Sequence, residues 1–337
     1  MIMKLFLFAA TLILPLAVNA KTLKVMEYNI ENFFDTVHDI GTHDYTYLPL
    51  SVKKTLPEHK KFCNSMSGDF YKNECLNLDW NEAKFTKKII NISKVIKAFD
   101  KSGKGPDVLV LEEVENINVL NKLVTKGLDK LGYAHQVLIE GDDSRGIDVA
   151  VISKFPVISS KHHPLIINGT KLDTRGILEV TLDVEGSTVV VFANHWPSQN
   201  NPASERAASA KLLSEIASKL KADLILAMGD FNTLDSDVPY PFDHLNHFID
   251  SEVEARKLDL DLKPGTHFYK GGWASLDRIF IFENAAFKAQ YAKFQIINEP
   301  FMMKIDSRTG ESIPVRAEAA TGEGFSDHLP LGMEFSY

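Results

Sequence analysis

Leu224-Ile225-Leu226-Ala227-Met228-Gly229-Asp230-Phe231-Asn232 joins five apolar residues to a glycine, then sets an acid and an amide two positions apart. The apolar run reads as a strand from Leu224 to Met228 with polar side chains just past its end. A helix from about Ala203 to Leu220 precedes it. Earlier still, the patterning predicts strands at His135 to Ile139, Ile147 to Ser153, Ile177 to Val184 and Thr188 to Asn194. Ile89, Ile92, Val95, Ile96 and Phe99 fall at helical spacing within 81–99, and Val119, Leu120, Leu123 and Leu128 do so within about 116–131. Leu23 to Asn29 alternates as a half-buried strand, and Asp107 to Leu111 is a short buried one. Beyond the quoted stretch, strands are expected at Leu276 to Phe282 and from about Leu329 to Phe335. This alternation runs to the C-terminus without a Pro/Gly/Ser-rich linker or an internal repeat, which gives a single α/β domain over 21–337.

Polar residues past a strand end recur along the chain: Asn29 and Glu31, Glu112 and Glu113, Asn194 and His195, Asp230 and Asn232. Taken singly, each reads as a helix cap or a turn residue. Carboxylates gathered at one rim, however, repel each other unless a cation sits among them. Hard oxygen ligands suit Mg²⁺, Mn²⁺ or Ca²⁺ better than zinc. Asp327-His328, between Ser326 and Leu329-Pro330, adds a second histidine in the same context as His195. Neutral imidazole exchanges protons near pH 7, and water attack on phosphorus needs a base and a group that stabilises developing charge. The pattern fits metal-assisted hydrolysis.

Six pieces, Tyr28-Asn29-Ile30-Glu31-Asn32, Leu111-Glu112-Glu113-Val114, Asn194-His195-Trp196, Gly229-Asp230-Phe231-Asn232, Leu276-Asp277-Arg278 and Ser326-Asp327-His328, together resemble the endonuclease/exonuclease/phosphatase superfamily. They stand in that family's order and span nearly the whole chain after the first 20 residues. The resemblance implies a four-layered α/β/β/α sandwich with two central mixed β-sheets and a site on one rim between them. It implies Glu113 as principal ligand for Mg²⁺ (or Mn²⁺/Ca²⁺), with Asn29 beside it, Glu31 as a second carboxylate contact and Asp327 supporting the metal region. It implies Asp230 orienting or deprotonating the attacking water, and Asn232 holding a phosphate oxygen. His328 would touch the scissile phosphate, polarised by Asp277, and His195 would donate to the phosphate or assist the leaving oxygen. Arg145 and Arg175 lie in contexts that approach substrate phosphates in relatives, where the guanidinium fork grips phosphate; pairing with a neighbouring acid is the other reading of each. Glu112 departs from the family's usual Gln, and the expectation is a solvent-facing carboxylate rather than added metal affinity. Arg206, on the helix after His195, is expected in a structural ion pair.

The chain opens Met1-Ile2-Met3-Lys4, stays apolar from Leu5 to Val18 and passes through Asn19-Ala20-Lys21, the pattern of a secretory signal peptide cleaved after Ala20. The run falls short of the about 20 apolar residues of a membrane span, so no stable membrane anchor is expected; an uncleaved anchor is the rival reading. A secreted or periplasmic protein, expected as a monomer, follows. Cys63 and Cys75 are the only cysteines, and in an oxidising compartment one disulfide is expected, against two reduced thiols or half a zinc site. They lie in 38–80, a polar stretch without sustained periodicity. It reads as an irregular insertion stapled by the pair, either bordering the site or a decorative excursion. With 37 Lys+Arg against 45 Asp+Glu, attraction to nucleic acid must come from a local basic patch. Lys53, Lys54, Lys60 and Lys61 could supply one, or could be a solvated face.

Export and the segment Tyr269-Lys270-Gly271-Gly272-Trp273 resemble secreted bacterial nucleases, so DNA, with RNA as a further option, is the expected substrate. The alternatives are a phosphatase or phospholipid phosphodiesterase of the inositol phosphate or sphingomyelin type and, from another class, a catalytically silent binding module. A lipid-directed enzyme needs an apolar protruding loop; Phe301-Met302-Met303 is the one candidate, and a core or strand segment is the expectation for it.

Overall fold

Alternation at Leu23 and Val25 starts the first strand. In the structure, a computed structural model that describes residues 20–337, this strand is β1, Thr22–Phe33. The expected signal segment, Ala20 apart, lies outside the described residues. Next come α1 (Leu50–Lys53), α2 (His59–Ser65), α3 (Asp69–Asn77), α4 (Glu82–Lys97), β2 (Val108–Val114) and α5 (Ile117–Gly127). The chain continues through β3 (His135–Leu138), β4 (Asp148–Ser153), β5 (Val157–His163), β6 (Ile177–Val184) and β7 (Ser187–His195). After α6 (Ala203–Ala217) come β8 (Leu224–Asp230), β9 (Phe248–Asp250), α7 (Ser251–Arg256) and β10 (Asp277–Phe282). The short strands β11 (Lys288–Ala289) and β12 (Gln295–Ile296) lead to β13 (Leu331–Ser336).

One sheet has the order β11-β13-β1-β2-β4-β3, with β12 also pairing β13; the other has the order β9-β10-β8-β7-β6-β5. Each is mixed: β1 and β2 run parallel, as do β7 and β8, while β13 and β10 pair antiparallel beside them. Helices cover both outer faces. The α4 helix starts at Asn81, whose side chain accepts from Lys84 N, and α5 at Asn116, which accepts from Asn118 N and Val119 N. Their stripes, Phe85, Ile89, Ile92 and Ile96 with Val119, Leu120 and Leu123, merge with the first sheet into the main core. On the other side Ala210, Leu213 and Ala217 of α6 pack on Val190, Phe192, Ile225 and Ala227 of the second sheet. This is the four-layered α/β/β/α sandwich. Met302 is buried and Met303 opens a short strand to Ile305, so the Phe301-Met302-Met303 segment is part of the packed structure.

The 38–80 segment differs from its irregular reading, because it holds three short helices. Their stability comes from cross-links that periodicity does not reveal. Cys63 and Cys75 form a disulfide at a Cα–Cα distance of 5.5 Å. Lys53, expected in a basic patch, is buried instead: its ammonium donates to the carbonyls of Thr46, Cys75 and Leu78 at 2.9, 2.9 and 2.7 Å. All three ammonium hydrogens are thereby spent on the backbone of the insertion. Lys54, Lys60 and Lys61 stay exposed. The insertion is tied to the body by Trp80 Nε1 donating to Phe34 O, His43 N to Ser144 O, and Asn116 Nδ2 to Asp39 Oδ2.

Candidate active site

Strand register brings the candidate residues together. Asn29 stands opposite Glu112 across the β1–β2 pair, while Asp230 faces His195 on one side and Asp277 on the other. His328 lies just before β13, and it forms an isolated bridge with His267. The register is broken where the chemistry is: between Asn29 and Phe33 on β1, and between Glu112 and Val114 on the β2–β4 pair. Such breaks re-aim side chains that a regular pleat would alternate. Glu31, Asn32, Glu113 and Asn232 all take positive φ, between 47° and 63°. Each such non-glycine residue costs about 1–3 kcal/mol, and this strain concentrates at the rim where the two sheets meet.

Crowding also explains Gly229 (φ 131°): a Cβ there would lie 2.1 Å from Asn194 O on the paired strand β7 and 2.8 Å from Glu112 Oε1 of the first sheet. Asp277 Oδ2 and His328 Nδ1 are 2.8 Å apart, and His328 Nε2 lies 3.9 Å from Asp230 Oδ2. That same Asp230 oxygen accepts from Asn29 Nδ2 at 3.2 Å and lies 3.6 Å from His195 Nε2. Asp230 Oδ1 accepts from Asn232 N at 2.8 Å, and Asn232 Nδ2 donates to Trp196 O at 3.2 Å. Glu113, half-buried, accepts from Asn32 N at 2.8 Å with one oxygen.

These environments set distinct protonation behaviour. Burial works against the His328 cation, yet Asp277, then Asp230 and Asp327, hold its pKa well above the usual range. Asp230 is pushed up to about 7, first by burial and then by Asp277, against the pull of His328. His195 moves the opposite way: burial, reinforced by Arg175, Arg145 and His328, keeps it neutral. The site thus offers a charged imidazole, a neutral one and a carboxylate balanced near neutrality.

Glu112 corrects the solvent-facing expectation. It is fully buried, and neither carboxylate oxygen has a hydrogen-bond partner among the described residues. Burial, then Asp277 and Asp230, raise its pKa well above the carboxylate range. The cause is the register, which turns Glu112 inward between the sheets, where Glu27 is buried as well. Arg175 follows its acid-pairing reading: only 6% exposed, it bonds Asp143 Oδ2 at 2.8 Å and Trp196 O at 2.9 Å. Arg145 Nε lies 3.5 Å from Asp143, but the side chain remains 54% exposed at the rim. Arg206 makes its structural pair, a two-pronged bond to Asp237. Glu31 and Asp327 are bridged by a residue that sequence spacing does not single out, Arg316, and the His267 ring lies against His328 at 4.7 Å between centroids, tilted by 37°. Arg316 sits 285 positions from Glu31 in a loop, and no periodic signal marks it.

A divalent cation suits this donor set. Glu113 engages only one of its oxygens, on Asn32 N, next to the register partner of Asn29, and ligand atoms of Asp230, Asp277 and His328 lie within 4.8 Å of one another. Oxygen-rich, carboxylate-crowded surroundings favour Mg²⁺, Mn²⁺ or Ca²⁺.

A search of curated proteins finds no match. Among solved structures, the D. rerio TDP2 complexed with single strand DNA product is similar, with a TM-score of 0.57 and 14% identity over 94% of this chain and 99% of that one. An endonuclease/exonuclease/phosphatase family protein from Bacteroides thetaiotaomicron gives 0.56 and 14% over 94% and 98%. The beta toxin from Staphylococcus aureus, a mutant with bound magnesium ions, gives 0.54 and 16% over 93% and 99%. At such identities the likeness speaks for the fold. The sequence itself speaks for more, because the model of a family named for phosphoester hydrolases matches residues 68–336. Most of the 337 residues lie within that match, and the chain belongs to the Endonuclease/Exonuclease/phosphatase family.

Proposed function

We propose that the protein is an exported, divalent-metal-dependent phosphodiesterase that hydrolyses nucleic acid, with DNA as its principal substrate. The observation that carries this reading is the row Asp277–His328–Asp230. There a carboxylate holds an imidazolium within 3.9 Å of a second carboxylate whose pKa is about 7. Asp230 accepts the proton of the attacking water, a task for which a pKa near the working pH is best. His328, charged and oriented by Asp277, donates from Nε2 to the phosphate as negative charge builds on it. Asn232 spends one Nδ2 hydrogen on Trp196 O and keeps the other for a phosphate oxygen. His195, neutral and buried, donates a hydrogen bond near the leaving oxygen. Glu113 and Asn29 would hold the cation, which when bound supplies Lewis-acid stabilisation of the phosphoryl oxygens, while Glu31 and Asp327 at the rim are engaged by Arg316. Arg145 stands exposed to meet the phosphate backbone, whereas Arg175 acts behind it by holding Asp143.

Export is supported by the Cys63–Cys75 disulfide, which suits an oxidising compartment, and by the opening segment. Among the described residues no helix is long and apolar enough to cross a membrane. Substrate choice is supported by the exposed Lys54, Lys60 and Lys61 on the insertion and by the fold shared with the DNA-bound TDP2. The test is nicking of supercoiled plasmid by the chain from residue 21 onward in Mg²⁺ and in Ca²⁺, with EDTA and His328→Ala as controls. Nicking that vanishes in both controls supports the reading; intact plasmid with every ion sinks the DNA assignment and redirects the assay to RNA, inositol phosphates and phospholipid head groups.

A further inference from the structure

The two acids at the outer edge of the metal region are already bridged. Arg316 donates to Glu31 Oε1 from Nε at 2.9 Å and from Nη2 at 2.6 Å, and its Nη2 lies 3.2 Å from Asp327 Oδ2. The other Glu31 oxygen accepts from Ala317 N at 2.8 Å, so both oxygens of this buried carboxylate are occupied by the Arg316 segment. Beneath them Lys88, itself buried, donates to Glu31 O at 2.9 Å and to Phe325 O at 3.1 Å.

The loop that carries Arg316 is built to hold it. Phe325 N donates to Val315 O, Val315 N to Met302 O, and Asn91 Nδ2 to both Gly322 O and Gly324 O. Gly324 (φ 78°) admits the Arg316 carbonyl, which would lie 1.7 Å from any Cβ at that position. Arg316 is therefore placed by its backbone, and it is not a surface side chain that happened to find an acid.

We infer that Arg316 is a resident cation of the active-site rim: its guanidinium fills the place between Glu31 and Asp327 that a second divalent ion would take, leaving the centre with one ion at Glu113 and Asn29. The inference rests on the metal-dependent reading proposed above. Two carboxylates face two basic side chains, Arg316 and Lys88, so this edge is balanced without a metal. A divalent ion added there would meet the guanidinium at contact distance. Two of the five guanidinium hydrogens are used on Glu31, and Nη2 also lies against Asp327 Oδ2. The two on Nη1 remain on a side chain that is 63% exposed, in position to bond a phosphate oxygen of the strand being cut.

The experiment is a count of Mn²⁺ bound per chain, by calorimetry and electron paramagnetic resonance, in the wild-type protein, Arg316→Ala and Arg316→Lys. One ion in the wild type, two in Arg316→Ala and one in Arg316→Lys is the expected result. Two ions in the wild type, or still one in Arg316→Ala, overturns the inference while leaving the metal-dependent reading intact. No ion in the wild type overturns that reading and the inference with it. Should Arg316→Ala not fold, anomalous scattering from wild-type crystals soaked in Mn²⁺ decides the matter. A single peak at Glu113 supports the inference, and a peak between Glu31 and Asp327 refutes it.

Discussion

Two residue-scale features allow sharp tests. Replacing His328 by Ala removes the donor from the row Asp277–His328–Asp230 and should lower kcat on plasmid by about 10²–10⁴-fold, the usual worth of a positioned acid or base. Asp277→Asn should reproduce much of that loss, since it deprives His328 of the partner that keeps it charged. Gly229→Ala puts a methyl 2.1 Å from Asn194 O in a backbone conformation that L side chains avoid. It should cost about 2–4 kcal/mol in a urea melt, and a loss below about 1 kcal/mol would contradict the crowding described for this position. Most of the site is legible at this scale, because Asn29, Glu113, His195 and Asp230 each follow an apolar run and His328 opens one. Glu112 is not: whether a residue after a strand faces in or out depends on register breaks at Asn29–Phe33 and Glu112–Val114, which no alternation pattern records. Arg316 and His267 are illegible for another reason, since their partners come from distant segments that only the packed sheets bring near.

At the scale of elements, apolar spacing suffices wherever an element packs against a broad face. The α4 stripe Phe85-Ile89-Ile92-Ile96 and the runs of β2, β7 and β8 are such cases, and their ends move by only a few residues from expectation. The insertion is the contrary case. Its helices are too short to show a period and are held by Lys53, the disulfide and a small cluster of Tyr45, Leu48, Cys63 and Cys75. Lys53→Met should therefore cost about 3 kcal/mol in a urea melt, because three carbonyls lose their donor in a buried place. Reducing the Cys63–Cys75 bridge, which closes a separation of 12 residues, should cost a similar about 3 kcal/mol. Protection of amide hydrogens over 44–77 under reducing conditions checks both: loss confined to that segment is expected, and unchanged protection would mean that the cluster alone suffices.

At the scale of the whole molecule, buried acids make stability depend on pH in an unusual direction. Asp148 is pushed up to about 8, first by burial and then by the adjoining Glu140, and Glu115 is pushed up to about 9, chiefly by burial. An acid whose folded pKa lies above its unfolded value near about 4 binds more protons folded than unfolded. Its stabilising effect is complete below about pH 4 and is lost as the pH rises through the folded value. Metal-free protein should therefore melt at progressively lower temperature from pH 5 to pH 8. Asp148→Asn should flatten that decline in a calorimetric series, and a Tm that rises with pH in the wild type would refute the account. Mg²⁺ should raise Tm, because the ion binds the folded chain alone.

The outer edge of the first sheet carries one more consequence. β1, which bears Asn29 and Glu31, pairs over its first half with β13, from Thr22 opposite Ser336 to Glu27 opposite Leu331. The two strands come from far apart in the sequence: Leu331 N donates to Glu27 Oε1 across 304 positions. Asn29 and His328 are brought to one rim only when that distant pairing has formed, and such long-range contacts are slow to form. Closure of the rim is thus expected late in refolding, after the local helices are in place.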